Sequence, residues 1–223
     1  MDKPNTPIER LEICLDGNAE RLVQAYFDHG RGFSGSTFDT YGHNPPELIT
    51  GDDLLALTCL DEHVPPKTLR LMMSTEGQLE LGQLLQAIDT EVSLGDPNDK
   101  VALQAAGEAW TTLSGEHYPG VGEVKAGKLL ARKRPLLIPI VDSVVRTVVE
   151  APPFGYWDVF REFMSLSLTK SRLIELREVA DTHGVSDLRI LDAAVWMRGS
   201  GSKSAYEVRD EFKIEDLSWA KRP

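Results

Sequence analysis

Apolar residues recur along this chain at intervals of three and four, a period that predicts helices almost throughout. Thr6-Pro7-Ile8-Glu9 has the form of a capping box with proline at the first helical position, and it opens a short helix that stops near Asp16-Gly17. Asn18 caps a second helix reaching about His29, on which Leu22, Val23, Tyr26 and Phe27 form an apolar stripe. Thr50 and Asp53 repeat the capping pattern ahead of a helix over 54–62, which Pro65-Pro66 ends. Further helices are predicted over 66–74, 76–87, 100–114, 124–132, 143–150, 156–165, 170–183 and 186–197.

Between them, 30–46 is rich in glycine, aromatics and turn residues and reads as a binding loop or a short extended excursion, while 92–99 reads as a loop. Pro152-Pro153-Phe154-Gly155 marks a hinge, and Gly199-Ser200-Gly201-Ser202 marks the start of a loose C-terminal segment. The expected fold is all-α, a two-lobed helical bundle within one domain over 1–198, followed by the loose segment 199–223.

A run between two of these helices changes the picture from fold to function. Residues Tyr118 to Arg146 read YPGVGEVKAGKLLARKRPLLIPIVDSVVR. The turn Pro119-Gly120-Val121-Gly122 contains two glycines that can take positive φ, and it leaves backbone N–H groups bare at the start of the next helix, a setting that suits a phosphate. Lys125 and Lys128 follow within two turns and can add phosphate contacts. Further on, an extended stretch over 136–141 ends in Asp142, immediately before an apolar-periodic run, so that its carboxylate is expected at a helix N-terminus.

Charge is distributed to match. The chain carries −11 overall, which argues against nucleic acid. Yet 123–146 holds six cations, Lys125, Lys128, Arg132, Lys133, Arg134 and Arg146, against Glu123 and Asp142, a local charge of +4 that leaves −15 on the remainder. At physiological salt a Debye length of about 8 Å screens acidic surface on the far side of a domain from such an island. Arg132, Lys133 and Arg134, just before Pro135, also suit a helix C-terminus electrostatically.

This segment resembles the helix-hairpin-helix DNA glycosylases, the endonuclease III superfamily, whose signature is a PGVG-type hairpin followed by an aspartate in a V-D-x-x-V/I-x-R context. Val141-Asp142-Ser143-Val144-Val145-Arg146 fits the second half, and the spacing from the hairpin matches without a gap. The resemblance implies that Gly120, Val121, Gly122, Lys125 and Lys128 contact duplex DNA. It also implies that Asp142 is the catalytic carboxylate, stabilising the sugar cation that forms as a base leaves.

In that register the Schiff-base lysine of lyase-competent members falls on Val124, with Lys125 one position away and turned by about 100° around the helix. The implied chemistry is therefore monofunctional. The four-cysteine iron–sulfur cluster of some relatives has no counterpart, and no cofactor is expected.

A second resemblance, to a family of uncharacterised bacterial proteins, spans most of the chain. It is carried by F-x-G-x-x-F-[DE]-T-[LY]-G over 33–42, D-D-L-x-A over 52–56, the hairpin segment over 120–145, and L-R-x-L-D-x-x-x-W-M over 188–197.

Phe33, Phe38 and Tyr41 are candidates to stack on an extruded base, although packing their loop onto the helical core is the commoner role for such residues. Trp110, Trp157 and Trp196 lie in apolar helical runs and read as core. The five histidines show no metal-ligand spacing, and no metal is expected; Cys14 and Cys59 read as buried free thiols.

The N-terminus lacks a basic-then-apolar signal pattern, and no apolar run approaches the roughly 20 residues needed to span a bilayer, so a cytoplasmic protein without membrane contact is expected. Three functions stay open: a DNA-binding protein with monofunctional base excision, a non-catalytic helix-hairpin-helix module that contacts protein partners, and a hydrolase acting on a free nucleoside or nucleotide.

Overall fold

The computed structural model describes residues 4–152, 155–182 and 184–220. Every regular element in them is helical. In chain order the α-helices are α1 (Pro7–Cys14), α2 (Ala19–Phe27), α3 (Gly51–Ala56), α4 (Pro66–Met72), α5 (Thr75–Gln86), α6 (Asp99–Ser114), α7 (Gly122–Lys133), α8 (Ser143–Val149), α9 (Tyr156–Ser165), α10 (Ser167–Val179), α11 (Asp187–Gly199) and α12 (Lys203–Glu211). Both expected capping boxes form, Thr6 with Glu9 on α1 and Thr50 with Asp53 on α3, whereas Asn18 makes no side-chain cap on α2. Pro153 and Phe154 of the expected hinge, and the His183 end of the helix expected over 170–183, lie outside the described residues.

The chain divides into two compact units, one formed by Met1–Phe33 with Ile140–Pro223 and the other by Ser34–Pro139. The first is organised around α11, on which Leu188, Ile190, Leu191, Ala193, Ala194, Val195 and Met197 are all buried. Helices α1, α2, α8, α10 and α12 pack against it, so its apolar residues run around the whole circumference instead of along one stripe. Gly199 permits the approach of α8, since a Cβ there would lie 2.1 Å from Val148 Cγ2. Two buried polar residues of α11 pair within the core: the Arg189 guanidinium bonds the Asp192 carboxylate and donates to the Tyr26 hydroxyl at 2.7 Å.

Cys14 is buried in this unit, and burial pushes its thiol up to about 12, with nearby Arg198 opposing. Cys59 is only half-buried and lies in the other unit. Because the thiolate is the reactive form, iodoacetamide at mildly alkaline pH should consume one thiol per native chain, Cys59, and reach Cys14 only after unfolding. Mass spectrometry of the alkylated peptides reads this directly; rapid labelling of both would mean that the first unit opens readily.

The second unit holds α3 to α7. Helix α6 packs against α5 and α7, and α7 against α3 and the 3-10 helix Leu57–Leu60. The stretch 30–46 is a loop with two short 3-10 helices, His29–Arg31 at the end of the first unit's segment and Ser34–Thr37 in the second unit, and it forms no extended excursion.

Of the segment expected to be loose after 198, residues 199–220 are instead built into the first unit. Ser202 caps α12, and Arg209, 4% exposed, donates to the carbonyls of Met197 at 2.7 Å and Ser200 at 2.9 Å while pairing with Asp216 at 2.9 Å. Trp219 Nε1 donates to the Val148 carbonyl at 3.2 Å. This helix escaped the periodicity because KSAYEVRDE buries only Ala205 and Val208 among its apolar residues; the guanidinium supplies the rest of the attachment. No helix among the described residues is long and apolar enough to cross a membrane.

Candidate functional site

The hairpin belongs to the second unit, between α6 and α7. Its turn is anchored from below: Tyr118 is fully buried and its hydroxyl donates to Glu80 at 2.6 Å, and the Pro119 carbonyl accepts from the Thr68 hydroxyl. Gly120 and Gly122 have φ of +83° and +63°, as the sequence predicts for this turn. Gly120 is doubly required, because a Cβ would also lie 2.6 Å from Pro65 Cγ. Val121 is buried beneath the turn, and Trp110 on α6 donates to the Glu123 carbonyl at 3.2 Å, tying the two helices together across the hairpin.

Helix α7 begins without a side-chain cap, since Val121 at the N-cap has no oxygen to offer. Gly122 and Glu123 at that end are exposed.

The basic island is largely an internal feature. Lys125 is half-buried and its ammonium folds back onto the Gly120 carbonyl at 2.7 Å. Lys128, expected at the phosphate-facing surface, is 5% exposed and donates inward to the Leu60 carbonyl at 2.9 Å and to Glu62 at 3.1 Å. Arg132, Lys133 and Arg134 are buried as well.

Arg132 pairs with Asp53 at 2.8 Å and donates to the carbonyls of Phe38 and Tyr41; Lys133 bonds the same carboxylate, Asn44 Oδ1 at 2.7 Å and the Pro45 carbonyl at 3.1 Å. Arg134 reaches the Leu85 and Ile88 carbonyls at the end of α5 and the Pro46 carbonyl. Burial pulls the Lys133 ammonium below the ordinary lysine range, and the hydrogen bond to Asp53 opposes that shift. These cations satisfy orphan carbonyls of a helix end and of the 38–46 loop. Of the six, Arg146 alone is exposed.

The three aromatic candidates separate. Phe33 is 8% exposed and stacks on Tyr26 at 5.6 Å in the core of the first unit, beside Trp196. Phe38 is fully buried under Arg132 in the second unit. Tyr41 keeps an exposed ring. The first two are thus held in packed interiors, and only Tyr41 offers a face to solvent. Trp110, Trp157 and Trp196, read as core, are all half-buried.

Asp142 belongs to the first unit and is the N-cap of α8, where its carboxylate accepts from the Val145 N–H at 2.9 Å. It is half-exposed, so the cap leaves the group open to solvent on one side. Arg146, one turn along α8, lies over the Tyr156 ring at 5.3 Å, and the Tyr156 hydroxyl donates to the Arg146 carbonyl at 3.3 Å. The aspartate thus caps the start of α8, while the guanidinium in its last turn is held against the aromatic ring at the start of α9. Tyr156 was not among the sequence candidates. Its spacing of ten from Arg146 in the chain crosses the 150–155 turn and has no helical period to reveal it.

Comparison with family models decides the wider relationship: a match covers residues 19–199, most of the chain. The chain belongs to the family of unknown function DUF6308. No curated protein and no solved structure matches it, and the family comparison returns no helix-hairpin-helix glycosylase.

The four motifs of the second resemblance lie wholly within the matched range and acquire physical roles in the structure. Phe38 and Tyr41 of the first motif receive Arg132, Asp53 of the second neutralises it, and Arg189 and Asp192 of the last form the ion pair inside α11. Asp52 of the second motif accepts from the N–H of His43, the residue that follows the first motif, at 2.8 Å. The motif residues of this DUF6308 chain thus include a buried electrostatic framework.

Proposed function

We propose that this DUF6308 protein binds duplex DNA through its hairpin and carries Asp142 as the carboxylate of monofunctional base excision by N-glycosidic hydrolysis. The observation that carries the reading is the succession of elements over 99–149: a helix, a turn with two positive-φ glycines, a helix whose first-turn amides lack a side-chain cap, and then a helix capped by a half-exposed aspartate. Uncapped amides at a helix N-terminus attract phosphate oxygens. The inward cations make that attraction weak, and Glu123 in the first turn of α7 opposes it further. A second reading, a non-catalytic module with the same fold, is favoured by those same inward cations, because Lys128 and the 132–134 run are already engaged.

Binding is tested by fluorescence anisotropy of a labelled duplex at low salt. Weak, sequence-independent affinity that falls with added salt is expected. Lys125→Glu should lower the affinity severalfold and reduce the salt slope by about 1, with thermal stability nearly unchanged. Lys128→Glu is unsuited to the purpose, since it would bury a carboxylate against Glu62. Absence of binding at low salt, or equal binding by wild type and Lys125→Glu, would remove the hairpin assignment.

A further inference from the structure

We infer that a groove on the first unit, along the exposed face of α2, binds a planar aromatic monocarboxylate. This site is independent of the hairpin and of Asp142. The groove has a volume of about 360 Å³, and its lining includes Arg21, Phe27, Arg31, Val179, Ala180 and Phe212. Small-molecule sites have volumes of roughly 300–1,000 Å³; this groove lies near the lower end of that range, and its lining mixes polar and apolar side chains.

The two guanidiniums on the rim are not equivalent. Arg31 is held by a two-pronged bond to Glu211 at 2.7 and 3.0 Å, with Asp28 at 3.8 Å. Arg21 lies 5.5 Å from the Phe212 ring centroid and forms no ion pair among the described residues. The ring steadies this guanidinium through a cation–π contact, which leaves its hydrogen-bonding edge without a carboxylate.

Aromatic rings beside one guanidinium that lacks an ion-pair partner call for a ligand with an aromatic body and one carboxylate, which a guanidinium bonds in fork geometry. Phe27, Phe212 and the exposed Val179 supply flat and aliphatic surface for an aromatic body. Asp28 on the same rim repels a second negative charge, which selects a monoanion over a phosphate dianion.

Titration of the 15N-labelled full chain with 1-naphthoate tests this. Saturable amide shifts are expected in 21–31, 179–180 and around 212, and naphthalene-1-carboxamide and 1-naphthyl phosphate should bind more weakly. Arg21→Gln should weaken naphthoate by about tenfold or more, the effect of losing one charge-assisted hydrogen-bonded pair, and leave the carboxamide unchanged. Val179→Glu, an exposed position on the floor, should abolish naphthoate binding through like-charge repulsion. The absence of saturable shifts at millimolar naphthoate overturns the proposal, as do shifts confined to other regions, tighter binding of the phosphate, or unaltered naphthoate affinity in both variants.

Discussion

Asp53→Asn should destabilise the protein by about 3–5 kcal/mol, the range seen when one partner of a buried ion pair is removed. Asp53 is fully buried and is the carboxylate that Arg132 and Lys133 share. Asparagine still offers an oxygen to the Thr50 N–H, so most of the capping box on α3 survives and the loss reports charge. What remains is two buried cations with nothing to neutralise them, held against carbonyls that cannot disperse a full charge.

Domains are typically stable by only about 5–15 kcal/mol, so this loss is a large share of the total and should appear as a lower urea midpoint. Adding Lys133→Met to Asp53→Asn should restore part of the stability, because one of the two stranded charges then disappears. A loss below about 1 kcal/mol, or no recovery in the double variant, would show that Asp53 does not serve as the counter-ion of the cluster.

Asp142→Asn should leave fold and DNA affinity intact and remove base release. Asparagine caps a helix about as well as aspartate, and its carbonyl oxygen can take over the bond from the Val145 N–H. The exchange therefore separates the cap from the chemistry, which alanine would confound. Loss of a positioned acid–base group costs about 10² to 10⁴ in rate, and loss of electrostatic support for a sugar cation acts in the same direction.

The assay presents duplexes bearing alkylated, oxidised, deaminated or mismatched bases and reveals abasic sites with hot alkali. In the register that the glycosylase resemblance implies, Val124 takes the place of the lyase lysine, and Lys125 is turned onto the Gly120 carbonyl. Strand breaks should consequently appear only after alkali, and borohydride should trap no covalent adduct. A spontaneous nick with a trapped adduct would refute the monofunctional mechanism. No abasic product from the wild type on any substrate would favour the non-catalytic module, and activity surviving in Asp142→Asn would move the chemistry to another residue.

Much of the candidate site was legible because its determinants are local. Gly120 and Gly122 take positive φ because the turn needs it, and Asp142 caps α8 because its side chain reaches an N–H only three residues away. The cations next to them were not legible. Lys128 looks like a phosphate ligand from its distance to the hairpin, yet its partners are Leu60 and Glu62, 68 and 66 residues away. Phe33 and Phe38 sit five positions apart in one loop and still end in the cores of different units.

What the chain alone determined, then, is the helices before α12 and several of their ends: apolar spacing of three and four, and two capping boxes closed over three residues, act within one or two turns and need no tertiary partner. Tertiary structure decided what each charge does. A guanidinium is satisfied equally by water, phosphate, carboxylate or a helix-end carbonyl, so composition cannot say which it meets. Arg132 found Asp53 across 79 residues and Arg209 closed α12 onto the end of α11, turning an apparent DNA-facing island and an apparent loose tail into parts of the interior.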